Sequence, residues 1–213
     1  GAGAGAGGEV RARTPAPLSI GELLGSRAMQ IVAVTMFVYA GSIWIPYTFL
    51  VAYAQAEGGI APEEAANLVA VIGLASTVGR VVIGAITDRL GIRRLLQASM
   101  LITGGSLVLL ALVPPTLPAL LGFALVFGAF AGSVVAMIGP LLVEQLGIHN
   151  LPTAFGLAAA LQAPAVVIGP PIGGWLRDMT GVYLWTWVLP GALLGAVSMG
   201  VAMLPDPSRR ARQ

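Results

Sequence analysis

Long apolar runs alternate with short polar joints along this chain, and six of the runs match the roughly 20 apolar residues that a helix needs to cross a bilayer. They extend from about Ala28 to Ala54, Glu64 to Thr87, Leu95 to Val113, Pro118 to Val143, Pro152 to Trp175 and Tyr183 to Leu204. The period-two alternation of a strand is sustained nowhere, which argues against a barrel. Helix punctuation falls at the joints. Pro62-Glu63-Glu64 opens the second run with residues suited to a first turn, and Pro114-Pro115 stops the third. Pro46 should kink the first span, where Gly41 and Ser42 already loosen the turn. In the fourth, Gly128-x-x-x-Gly132 allows two helices to approach closely.

The pattern predicts an all-α membrane protein with six transmembrane helices. A flexible Gly/Ala-rich linker and cytoplasmic lead-in cover residues 1–27, the six-helix domain 28–204 and a basic tail 205–213. Gly1 to Gly8 is low complexity and lacks the basic start, apolar centre and cleavage site of a signal peptide. A chain that opens inside a linker, without methionine, reads as opening in the middle of a protein.

Composition narrows the function classes. Charged residues are 9% and hydrophobic ones 57% of the 213 positions, against roughly a quarter charged in soluble domains, so no water-facing surface could be covered. The absence of cysteine excludes disulfides and thiolate chemistry, and the single histidine, His149, cannot build a multi-histidine metal site. No cofactor or metal is expected. The basic residues are eleven arginines, whose placement fits orientation in a bilayer rather than binding to nucleic acid. Arg11, Arg13, Arg27, Arg89, Arg93, Arg94, Arg209, Arg210 and Arg212 fall on one side of the zigzag and only Arg177 on the other. Both termini are therefore expected in the cytoplasm. Glu57, Glu63, Glu64 and an aromatic belt of Trp185 and Trp187 would mark the outer rim, and the inner (plasma) membrane of a bacterium is the expected location.

Arg80 is the residue most able to carry chemistry. Eight residues before Asp88, it lies about 12 Å inside the helix end. Burying an arginine there costs from about 2.5 kcal/mol upward. Two readings stand: it snorkels or pairs structurally with an acid from another helix, or its planar two-donor fork holds a substrate carboxylate. No acid inside the six runs could neutralise it. Tyr47, beside Pro46, is the best hydroxyl donor among Tyr39, Tyr47 and Tyr53, although tyrosines near helix ends also serve as belt residues. Gln162, Pro164, Gly169, Pro170 and Pro171 mark a discontinuous helix, either lining a substrate path with unwound backbone or forming a plain kink. Asp178 reads as a cap on the final helix turn, and Glu144 and His149 as solvated loop residues. Intramembrane proteolysis fails on residues, for the chain lacks a serine and histidine on facing spans, paired intramembrane aspartates and His-Glu-x-x-His.

The stretch Gly84-Ala-Ile-Thr-Asp88-Arg89-Leu-Gly91-Ile-Arg93-Arg94 resembles the signature loop of the major facilitator superfamily, which joins the second and third helices of each six-helix half. Further resemblance lies in Ile45 to Ala54, in Gly73-Leu-Ala-Ser76-Thr-Val-Gly79-Arg80, and in Phe155-Gly156 through Gly169-Pro170-Pro171-Ile-Gly173-Gly174-Trp175 to Tyr183. These are similar to the carboxy-terminal half of the monocarboxylate-porter-like and oxalate-formate-like branch. The resemblance implies half of a twelve-helix fold, built as two inverted three-helix repeats at about 28–113 and 118–204. It implies alternating-access transport of a small organic acid, with protons as a candidate co-substrate and an amino-terminal six-helix half as partner. By the same resemblance Arg80 pairs the substrate carboxylate, while Asp88, with Arg89, Arg93 and Arg94, belongs to a conformational switch. Ser76 departs from the acid that animal members often carry one turn before the arginine, and Pro164 from the helix-eleven lysine of oxalate exchangers, which favours singly charged acids. A six-span module that homodimerises or acts as a scaffold, and an exporter of drugs or neutral solutes, stay open as alternatives.

Overall fold

A bilayer core offers the backbone no hydrogen-bond partners, so an apolar chain of this kind satisfies its amides within helices. The computed structural model describes residues 18–204, the Asp88 side chain excepted. The linker over 1–17 and the tail with Arg209, Arg210 and Arg212 lie outside the described residues, as do Arg11 and Arg13. Seven α-helices follow one another: α1 (Ile20–Gly25), α2 (Arg27–Ala56), α3 (Pro62–Leu90), α4 (Ile92–Leu112), α5 (Leu117–Leu146), α6 (Leu151–Thr180) and α7 (Leu184–Ala202), with a 3-10 turn at Ile148–Asn150 before α6. Among the described residues, the six helices after α1 are long and apolar enough to span a membrane.

The lead-in is ordered at its end. Ser19 and Glu22 form a capping box that starts α1, hydrogen bonds from Ser19 hold the Glu22 carboxyl below the usual carboxylate range, and Leu23 is fully buried. The Leu18 amide donates to Asn150 Oδ1 at 2.7 Å, and Arg93 Nη1 donates to the Leu204 carbonyl at 2.8 Å. The start of α2, the α3–α4 turn, the start of α6 and the end of α7 therefore share one rim, called here the Gly91 rim. The opposite one is the Gly181 rim.

Packing follows a two-fold pattern. The dominant pairs are α3 with α5, α2 with α6 and α4 with α7, followed by α4 with α5 and α2 with α7. Exchanging α2 with α5, α3 with α6 and α4 with α7 maps this set onto itself, as two inverted three-helix repeats require. The sequence carries the same relation at a spacing of 90 residues, which pairs Pro62 with Pro152, Ala75 with Ala165, Gly79 with Gly169, Gly84 with Gly174, Asp88 with Asp178 and Gly91 with Gly181. The paired glycines do the same work. A Cβ on Gly79 would run into the Ala129 backbone of α5, and one on Gly169 into the Gly41 backbone of α2. Gly128 and Gly132 complete the α3–α5 seam against Ile72, Ala75 and Ser76, as their spacing predicts.

Hydrogen bonds across helices supplement this packing, which in a bilayer lacks a strong hydrophobic drive. Tyr39 donates to the Ala131 carbonyl, Ser133 to Ser99 Oγ at 3.2 Å and Thr186 to the Gly173 carbonyl at 3.1 Å.

Two expectations are corrected. First, α6 is not discontinuous: Pro164, Gly169, Pro170 and Pro171 all lie inside one helix. Each proline removes its own amide donor and crowds the carbonyl one turn back, which bends a helix without ending it where the neighbouring amides keep their bonds, and Gly169 packs this stretch against Gly41 of α2. Second, Trp187 is no belt residue. It is fully buried, with its ring 5.4 Å from Tyr53 and 6.2 Å from Tyr183, whereas Trp185 is exposed.

Candidate functional site

The helices differ sharply in how much of them is covered. Of the apolar window of each span, 28% is buried in α3 and 17% in α6, against 56% in α5. These two helices are repeat-equivalent, and neither packs substantially against the other, so together they present an uncovered wall.

Arg80 is exposed on α3. It stands ten residues from Leu90 and eighteen from Pro62, roughly 15 Å and 27 Å along the axis. Side chains lean toward the start of their helix, and the guanidinium accordingly reaches back one turn, where Nη2 donates to Ser76 Oγ at 3.3 Å. That places the charge near the middle of α3. No carboxylate pairs with it among the described residues. Ser76 is itself buried and wedged against Gly132, so the hydroxyl that orients Arg80 is fixed by the α3–α5 seam.

Tyr39 and Tyr47 both lie on α2. Their roles differ. Tyr39 is buried and spends its hydroxyl on Ala131. Tyr47 is half-buried, its ring 5.6 Å from Trp44 and 6.4 Å from Phe127, and its hydroxyl has no hydrogen-bond partner among the described residues. Tyr53 is buried in the Tyr183–Trp187 cluster, with its hydroxyl 3.5 Å from the Leu110 carbonyl. Tyr39 and Tyr53 are thus interior residues rather than belt residues. Gln162 is half-buried on α6, and no hydrogen bond joins it to Arg80 or Tyr47 among the described residues. The structure therefore joins Arg80 to Ser76, and no hydrogen bond ties either Tyr47 or Gln162 to the arginine among the described residues. Ser76 was legible only as a departure from the family pattern, and its role as the arginine's rest emerges from geometry.

The Gly84–Arg94 segment is almost entirely helical. Only Gly91, with φ of 84°, separates α3 from α4, a conformation that glycine alone adopts cheaply. Arg89 and Arg94 are exposed, and Gly84 is half-buried. Asp88 is in the last turn of α3, and its side chain lies outside the described residues. Arg93 is engaged: Nε and Nη2 each donate to Glu144 Oε1 at 3.0 Å, besides the bond to Leu204. Glu144, expected to be a solvated loop residue, stands instead in the last turns of α5 and ties them to α4. His149 is exposed in the 3-10 turn. Arg93→Ala should lower Tm by about 1–4 °C in a detergent melt, the range for a partly exposed pair worth up to about 1 kcal/mol.

Beyond this geometry, the family model of the Major Facilitator Superfamily matches residues 32–213. The chain belongs to the major facilitator superfamily. It is 32% identical over 179 residues to monocarboxylate transporter 12 of Xenopus laevis, covering 82% of this chain and 39% of that protein. Monocarboxylate transporter 3 of Mus musculus is 30% identical over 183 residues, with 83% of this chain and 36% of that protein covered. The fold is similar to that of the fucose:proton symporter FucP of E. coli, with a TM-score of 0.75 at 17% identity, covering 87% of this chain and 45% of that one. A structure of FucP in the outward conformation gives 0.72. The facilitator chain thus spans under half the length of each of these proteins, and its six helices form one half of the fold.

Proposed function

We propose that this facilitator chain is the carboxy-terminal half of a secondary transporter that moves a small organic anion, a monocarboxylate, by alternating access. The observation that carries it is Arg80: an arginine on the uncovered wall, near the middle of its span, held by a neutral hydroxyl and without a carboxylate partner among the described residues. A guanidinium so placed presents two parallel donors to an anion arriving from the open side, with the free Tyr47 hydroxyl as a second donor. The names of its relatives support the substrate class. The Gly91 rim is read as cytoplasmic from the arginine count, and the Gly84–Arg94 segment as the switch between access states. The acids of the wall helices, Glu63, Glu64, Asp88 and Asp178, stand in their first and last turns and none in their middle stretches, so a proton site for symport is assigned to the other half.

Uptake of labelled lactate and pyruvate into proteoliposomes tests the proposal. The intact transporter should show saturable uptake that unlabelled monocarboxylates compete, while this chain alone should show none, because it supplies one wall of the path. Saturable uptake by the purified monomer would overturn the half-transporter reading. Competition by cationic or neutral solutes but not by carboxylates would favour an exporter of those compounds, the cationic ones of which an arginine on the wall disfavours.

A further inference from the structure

The uncovered surface of α3 has two flanks. At about 100° per residue, Gly73, Thr77 and Arg80 fall within about 60° of one another, while Leu74, Val78 and Val81, all exposed, lie along the other side. The first flank carries both the polar groups and the space. A Cβ on Gly73 would meet nothing within 4 Å, so the helix is notched one turn before Thr77 and two turns before Arg80. Thr77 is exposed beside that notch. Its hydroxyl donates to the Gly73 carbonyl at 3.1 Å, the backward bond that a helical threonine makes to the turn before it.

The repeat does not dictate these residues. At the 90-residue spacing the seam positions match, Ala75 with Ala165 and Gly79 with Gly169, whereas Gly73, Ser76, Thr77 and Arg80 correspond to Ala163, Val166, Val167 and Pro170. Both wall helices keep the residues that pack them, and only α3 carries hydroxyls in its middle stretch.

We infer that Thr77 is a specificity-determining residue for the anion held by Arg80, and that it selects 2-hydroxy monocarboxylates over their 2-oxo counterparts. The guanidinium reaches back to Ser76 and so stands level with Thr77, whose Cβ is about 5–6 Å from that of Arg80 at this three-residue spacing. A carboxylate that pairs with the guanidinium from the open side therefore sets its second carbon over the Gly73 notch. Because the Thr77 proton is turned into the Gly73 carbonyl, the hydroxyl oxygen shows lone pairs outward. A 2-hydroxyl donates to them, and a 2-oxo group, which only accepts, does not. The inference rests on the monocarboxylate reading above and adds the choice among such acids.

Initial rates of labelled lactate and pyruvate uptake by the intact transporter in proteoliposomes, measured against concentration, test it. The parent should have the lower KM for lactate. Thr77→Val keeps the side-chain shape and gives α3 the residue type that α6 carries at Val167, so the fold should accept it. It should raise the KM for lactate by about three- to tenfold, the size of one hydrogen bond, with that for pyruvate nearly unchanged, and Thr77→Ser should keep the parent's preference. A parent that prefers pyruvate, an equal shift for both acids in Thr77→Val, or the same loss in Thr77→Ser overturns the proposal. Saturable uptake of both acids without this split rejects the role of Thr77 and leaves the monocarboxylate reading standing, whereas uptake of neither acid by the parent rejects both.

Discussion

Arg80→Lys and Arg80→Gln in the intact transporter are expected to abolish carboxylate uptake, by at least tenfold, while protein level and membrane insertion stay at those of the parent. Lysine keeps the charge but offers a single strongly hydrated ammonium in place of two parallel donors, and it cannot both reach Ser76 and face an anion on the open side. Glutamine removes the charge. A charged hydrogen bond contributes about 1.5–3 kcal/mol, which corresponds to roughly ten- to a hundredfold in affinity. The folded state should tolerate both changes, since the side chain is exposed and its one hydrogen bond is a 3.3 Å contact to a hydroxyl. Labelled lactate uptake in vesicles, with expression measured in parallel, decides the matter. Normal transport by both variants would remove Arg80 from the substrate path.

Gly79→Val and Gly169→Val should each destabilise the six-helix domain by about 1–3 kcal/mol or more, the range for overpacking a closely fitted core. At both positions the added Cβ meets backbone of the facing helix rather than the end of a flexible side chain. Relief therefore requires moving α3 from α5, or α6 from α2. The repeat makes the two losses comparable, and thermal unfolding in detergent measures them. Gly156→Ala on α6, where a Cβ meets nothing within 4 Å, should leave Tm unchanged or slightly raised, since alanine favours a helix by about 1 kcal/mol over glycine. Equal melting of all three variants would show that the seams do not set the helix spacing.

The spans were legible because a bilayer punishes exposed backbone and charge so heavily that 20-residue apolar runs have one outcome. Boundaries were legible to within a turn, except at the end of α6, expected near Trp175 and found at Thr180. The run ending near Thr87 extends to Leu90, since a single positive-φ glycine suffices to turn the chain. Helix six reads as broken by Pro164, Pro170 and Pro171, yet stays whole, because proline statistics describe the isolated helix and not one pressed against Gly41. Arg80 stood out from depth alone. Its dependence on Ser76 and Gly132 did not, since hydroxyl contacts one turn apart leave no periodic trace. Nor did the Arg93–Glu144 tie, whose partners are 51 residues apart in sequence.

The turn at Gly91 has a mechanical consequence. With one residue between them, α3 and α4 cannot be joined by a slack loop, and the rim end of α3 cannot move without carrying the start of α4. Two residues later Arg93 grips Glu144 on α5 and the chain beyond α7 at Leu204. A push on the last turn of α3 is thus delivered to three other helices within one side chain's reach, so the half turns as a single lever and not as six independent rods.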